Sequence, residues 1–109
     1  MTAPLAYLNG QFIPGPLCVP VSDTGFVVGA TVTDLVRTFL GRLYRFDDHL
    51  DRFRQSCWLC RVPLSASDDE LRAAAARLVG DPAQEHALVL LATPGPLGHY
   101  AGIPKSGDD

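Results

Sequence analysis

Hydrophobic and polar positions alternate in short blocks at the start of the chain and then lengthen. Tyr7-Leu8 and Gln11-Phe12-Ile13 flank Asn9-Gly10, a dipeptide suited to a two-residue turn in which both central residues need positive φ, so the pattern predicts a β-hairpin. Leu17 to Val21 reads as a further short extended piece, confined to an edge or an irregular segment by Pro14, Pro16 and Pro20. From Thr31 to Leu40 two signals compete. Val32, Leu35, Val36, Phe39 and Leu40 fall at helical spacing, while the composition is β-branched and rich in threonine. A strand is favoured, because Gly41-Arg42 then turns the chain into Leu43 to Phe46 as its hairpin partner.

Beyond this point the period becomes helical. An aspartate, Asp47 or Asp48, is expected to cap the N-terminus of a helix. Leu50, Phe53, Cys57 and Cys60 form one apolar stripe, and His49, Arg52 and Ser56 share a polar stripe beside it. Pro63 closes this helix. Ser67-Asp68-Asp69-Glu70 matches a capping box and opens a second helix that carries Leu71, Ala73 to Ala76 and Leu78 before Gly80 ends it. Ala87 to Leu91 is an unbroken apolar run within His86 to Thr93, which predicts a buried central strand. A loop rich in glycine and proline follows, Pro94 to Pro104, and the chain ends in the polar Lys105 to Asp109. The elements predict an α+β, two-layer domain in which a mostly antiparallel sheet carries two helices on one face.

At 109 residues, 47% of them hydrophobic, the chain has material for one modest core. No window reaches the roughly 18 apolar residues of a membrane span, and Met1-Thr2-Ala3-Pro4 lacks the basic and apolar regions of a signal peptide, so a cytoplasmic protein without membrane contact is expected. The net charge of −3 is unevenly spread. Residues 1 to 36 carry two acids and no base, and residues 37 to 61 carry six arginines against three aspartates. Eight of the nine cations are arginine, whose planar fork suits a phosphate or carboxylate. A small anion fits this better than a nucleic acid, which calls for a larger basic face with stacking aromatics. Cys57-Trp58-Leu59-Cys60 matches the CxxC spacing, but it falls well inside a helix, whereas a redox pair draws its thiolate from a helix start. His49, His86 and His99 do not complete a zinc set with it. Packed, reduced thiols are expected and no metal site.

The chain resembles the small N-terminal domain of fold-type IV pyridoxal-phosphate enzymes, which include branched-chain and D-amino-acid aminotransferases and aminodeoxychorismate lyases. The resemblance rests on Leu8-Asn9-Gly10, Val21-Ser22-Asp23 before Gly25-Phe26, Gly29, the stretch Arg37 to Phe46, and His49-Leu50-Asp51-Arg52 with Ser56 one turn on. It spans residues 7 to 95. It implies that Arg52 contacts the phosphate of pyridoxal 5'-phosphate, and that Thr33 and Asp34 line the substrate side of the pocket. Thr33 stands where family members usually carry an aromatic residue, and Gly29-Ala30-Thr31 departs from the usual glycine-acid-glycine. The resemblance also implies that the loop after the last strand, with Thr93-Pro94-Gly95 and His99, reaches over the active site.

The implied reaction is amino-group transfer between an amino acid and a 2-oxo acid, with aminodeoxychorismate lyase-like activity or a stand-alone non-catalytic binding module as alternatives. Such chemistry needs a lysine joined to the cofactor aldehyde. The sole lysine, Lys105, lies in the polar tail, so no catalytic residue is expected in this chain, and the chain alone is expected to be inactive. Residues 1–104 are read as the N-terminal domain and 105–109 as a linker or tail. The catalytic second domain is expected in a companion C-terminal pyridoxal-phosphate domain, within a homodimer.

Overall fold

The computed structural model describes residues 6–96. Strands β1 (Ala6–Leu8) and β2 (Gln11–Ile13) pair antiparallel across Asn9 and Gly10, both at positive φ, which is the hairpin that the dipeptide predicts. Leu17 to Pro20 forms no strand. The chain instead turns at Val21 and Ser22 into a single helical turn, α1 (Thr24–Val27), whose N-cap is Asp23.

The second sheet has three antiparallel strands in the order β4 (Arg42–Leu43), β3 (Val32–Phe39), β5 (Ala87–Ala92). The strand reading of Val32 to Phe39 holds, but its turn is Leu40-Gly41 rather than Gly41-Arg42, with φ of 54° and 80°. Gly41 is needed here for two reasons. It takes positive φ, and a Cβ would collide with the backbone of Pro82. Glu85 secures the turn by accepting from the amides of Leu40 (3.0 Å) and Gly41 (3.3 Å) and from the Thr38 hydroxyl, contacts that lower its pKa.

The partner strand is much shorter than Leu43 to Phe46, because helix α2 (Phe46–Leu59) begins almost at once. Tyr44 still donates to the Arg37 carbonyl, and Arg45 turns through the left-handed region (φ 54°) to start the helix. Arg45 therefore holds the N-cap position, not an aspartate, and its side chain makes no capping bond. Asp47 and Asp48 fall in the first turn, where negative charge complements the helix dipole. The helix ends at Leu59, ahead of Pro63. Arg61 adopts φ 59°, and the amides of Arg61 and Val62 return to the carbonyls of Trp58 and Cys57, a Schellman closure.

Helix α3 (Asp68–Val79) starts as its capping box predicts, with Ser67 accepting from the Glu70 amide at 3.1 Å. Arg54 ties the two helices together by donating to Asp68 and, at 2.6 Å, to the Ala66 carbonyl. On α3, Arg77 lies over the Phe12 ring at 4.1 Å and Glu70 accepts from Tyr7, which docks the first hairpin.

Helix α2 crosses β3, and Val32, Val36, Leu50, Phe53, Cys57 and Val62 are buried between or beside them, with Leu90 and Ala92 packed against the cluster. Two expectations are corrected here. Cys57 is packed, and burial pushes its thiol pKa up, but Cys60 lies past the helix end and is exposed. Among the described residues, β5 is an edge strand rather than a central one, with Val89 and Leu91 facing outward. Its apolar run suits cover on both faces, and the described residues supply cover on one. The architecture is α+β, with two antiparallel sheets and three helices. No described helix is long and apolar enough to cross a membrane.

Candidate functional site

Strand parity and helix spacing together build the site. Asp34 lies between Val32 and Val36 on the face of β3 that α2 covers, so its carboxylate enters the interior, where its side chain is 7% exposed. A carboxylate in that setting needs partners. His49 and Arg52, three apart on α2, supply them from above. Arg52 donates through Nε to Asp34 Oδ2 at 3.0 Å and through Nη2 to Oδ1 at 2.9 Å, a two-pronged ion pair. His49 Nδ1 lies 3.0 Å from the same Oδ1 and 3.2 Å from Arg52 Nη2. With hydrogen on Nδ1 the ring donates to Asp34; with hydrogen on Nε2 it accepts from Arg52 Nη2 instead.

The electrostatics follow from these contacts. Arg52, aided by His49, holds the Asp34 carboxyl down at about 2 against the upward push of burial. The same pair raises the Arg52 pKa. Among the described residues, Arg52 Nη1 has no protein acceptor, and the side chain is 65% exposed. Arg52 also lines a cavity of ≈ 400 Å³ together with Tyr44, Arg45, Asp48 and His49. Arg45 and Asp48 pair with each other at 2.7 Å on its rim. A guanidinium fixed along one edge and open along the other suits a phosphate oxygen. The chemistry of this donor fits a phosphate group.

The polar stripe thus brings His49 and Arg52 to one place, while Ser56 makes no side-chain hydrogen bond among the described residues. Neither Asp48 nor Asp51 pairs with Arg52. Thr33 and Asp34, adjacent in sequence, face opposite sides of the sheet. Thr33 is exposed on the face away from α2, opposite Leu91. His99 lies outside the described residues. Asp34 as the partner of Arg52 escaped the sequence reading, although a signal was present. An acid flanked at two residues on either side by valines on a covered strand face has to find a cation.

A second polar knot joins the glycine-marked loops. Buried Asp23 accepts from the Gly25 amide (2.8 Å) and the Thr93 hydroxyl (3.2 Å), and the Gly95 carbonyl accepts from the amide and hydroxyl of Thr24. The start of the loop after β5 is thereby fastened beside the turn that leads into β3.

No family model matches the chain. It is 31% identical over 74 residues to D-alanine aminotransferases of Staphylococcus aureus strains N315 and COL, a match covering 67% of this chain and 26% of each relative. The fold is similar to that of a hypothetical aminotransferase from Mycobacterium tuberculosis in its apo form, with a TM-score of 0.71 and 26% identity over 90% of this chain and 35% of that one. The chain thus spans about a quarter of the length of the curated relatives that it matches. Fold and comparisons together support a class IV aminotransferase-like N-terminal domain.

Proposed function

We propose that the chain is the small domain of a pyridoxal-phosphate-dependent class IV aminotransferase, with Arg52 holding the cofactor phosphate. The observation that carries this reading is the Arg52 guanidinium, pinned to Asp34 by two bonds while its residue lines the cavity. When bound, pyridoxal phosphate supplies the electron-accepting ring for moving an amino group between an amino acid and a 2-oxo acid. The chain's own part is binding and orientation. Arg52 grips phosphate, His49 borders the same cavity, and Thr33 with Leu35 on the open face of β3 forms a wall on the substrate side.

Residues 1–104 belong to the domain in this reading, and 105–109 are a linker or tail. A companion domain supplies the lysine and covers the open face, and two such subunits form a homodimer. The relatives' name, D-alanine aminotransferase, favours transamination over lyase chemistry. Cofactor titration of the natural gene product tests the proposal. Arg52→Ala should weaken pyridoxal-phosphate binding by about 1.5–3 kcal/mol, the range for hydrogen bonds to charged groups. Unchanged affinity would remove Arg52 from the phosphate site.

A further inference from the structure

We propose that Asp34 is a positioning residue for anion capture, holding Arg52 and His49 in place from beneath, and that it does not itself contact substrate. The inference rests on the reading of Arg52 as the phosphate ligand and adds the device that keeps that ligand aimed.

Three observations carry it. First, Asp34 shares its strand face with buried Val32 and Val36, whereas Thr33 and Leu35 present the opposite, open face. Alternation along the strand separates Asp34 from that wall by the thickness of the sheet. Second, the helix engages three of the carboxylate's roughly four acceptor positions. Oδ2 takes Arg52 Nε, and Oδ1 takes both Arg52 Nη2 and His49 Nδ1. The side chain is also only 7% exposed, which leaves a substrate ammonium or hydroxyl little access to the position that remains. Third, Arg52 is otherwise an exposed side chain in the second turn of α2, and besides Asp34 the one polar neighbour of its head group among the described residues is His49 Nδ1, 3.2 Å from Nη2.

A free arginine head samples many rotamers, and fixing it at the moment of binding costs entropy. The Asp34 fork fixes one edge in advance and leaves Nη1 directed away from the carboxylate. The same carboxylate engages His49 through Nδ1, so that Nε2 is the nitrogen left free of it.

A carboxylate beside a phosphate-binding guanidinium also opposes the anion electrostatically, so the proposal has a sign that is open to test. If orientation dominates, removing the Asp34 charge weakens phosphate binding; if repulsion dominates, removal strengthens it. The experiment measures the affinities of pyridoxal 5'-phosphate and of pyridoxal, which lacks the phosphate, in the natural gene product and in Asp34→Asn, Asp34→Glu and Arg52→Ala. We expect Asp34→Asn to lose about tenfold in affinity for the phosphorylated form, as for one good oriented contact, and less than about twofold for pyridoxal. Asp34→Glu should recover part of the loss. The Nε–H resonance of Arg52 should be sharp and slow to exchange in the parent without cofactor and should broaden in Asp34→Asn.

Equal or tighter phosphate binding by Asp34→Asn overturns the proposal, as does an equal loss for both ligands, which would mark a folding defect. If Arg52→Ala loses the phosphate preference while Asp34→Asn keeps it, this inference alone fails. If Arg52→Ala keeps it, the phosphate reading of Arg52 fails and takes the inference with it.

Discussion

The two faces of β3 are built from one run of eight residues and have opposite fates. On the side toward α2, Val32, Val36 and Thr38 are buried and Asp34 is clamped by His49 and Arg52. On the other side, Leu35 is 48% exposed, Phe39 63%, and Val89 on the neighbouring strand 58%. Both faces are apolar enough to be interior. What separates them is the presence of a second layer, because α2 covers one face and nothing among the described residues covers the other. The closed face holds the buried residues and fixes the ionic cluster, and the open face has no cover among the described residues.

The sharpest way to break this comparison is at Leu50, which is 0% exposed on the buried side of α2. Leu50→Ala should cost about 2–5 kcal/mol in urea denaturation, the range for deleting a fully buried leucine side chain. A loss below 1 kcal/mol, on the order expected of an exposed site, would mean that the closed face is not the core.

Acid sharpens the contrast more gently. The Asp34 carboxyl is lowered from 3.8 to about 2 in the fold, so the unfolded chain binds the proton first as pH falls. The stability from its ionisation is complete above pH 3.8 and is lost as pH drops through about 2. The parent should therefore lose stability more steeply than Asp34→Asn across that interval. Parallel acid melts for the two proteins would show that the clamp contributes nothing.

The smallest effect belongs to the open face. Val89→Ser in the 109-residue chain should change the unfolding free energy by no more than about 0.5 kcal/mol, as for a surface position. A large loss in dilute solution would show that this face is already covered, for instance by self-association, and sedimentation at the same concentration would identify that cause.

Much of the fold was legible in local chemistry. Asn9-Gly10 permits two successive positive φ values, Ser67 with Glu70 closes a cap, and Val32 to Phe39 is β-branched where it has to pleat. The helix start was misplaced because its cause is not local. Pairing of Tyr44 with Arg37 forces the reversal at Arg45, and an aspartate could be assigned as the cap only by ignoring that ladder. The closing proline was misread in a similar way, since the left-handed turn at Arg61 ends α2 before Pro63 is reached.

The candidate site divides along the same line. The sequence by itself determined that His49 and Arg52 share one side of a helix, because residues three apart on a helix are neighbours whatever surrounds them. It also determined that Thr33 and Asp34 would part if they lay on a strand. Only the tertiary structure decided that α2 crosses β3 above Asp34, which gives Arg52 a partner eighteen positions away in sequence instead of its near neighbours Asp48 or Asp51. That choice depends on where the buried faces of strand and helix meet. Among the described residues β5 has one strand neighbour and one covered face, so its apolar run lies at an edge with Val89 and Leu91 exposed.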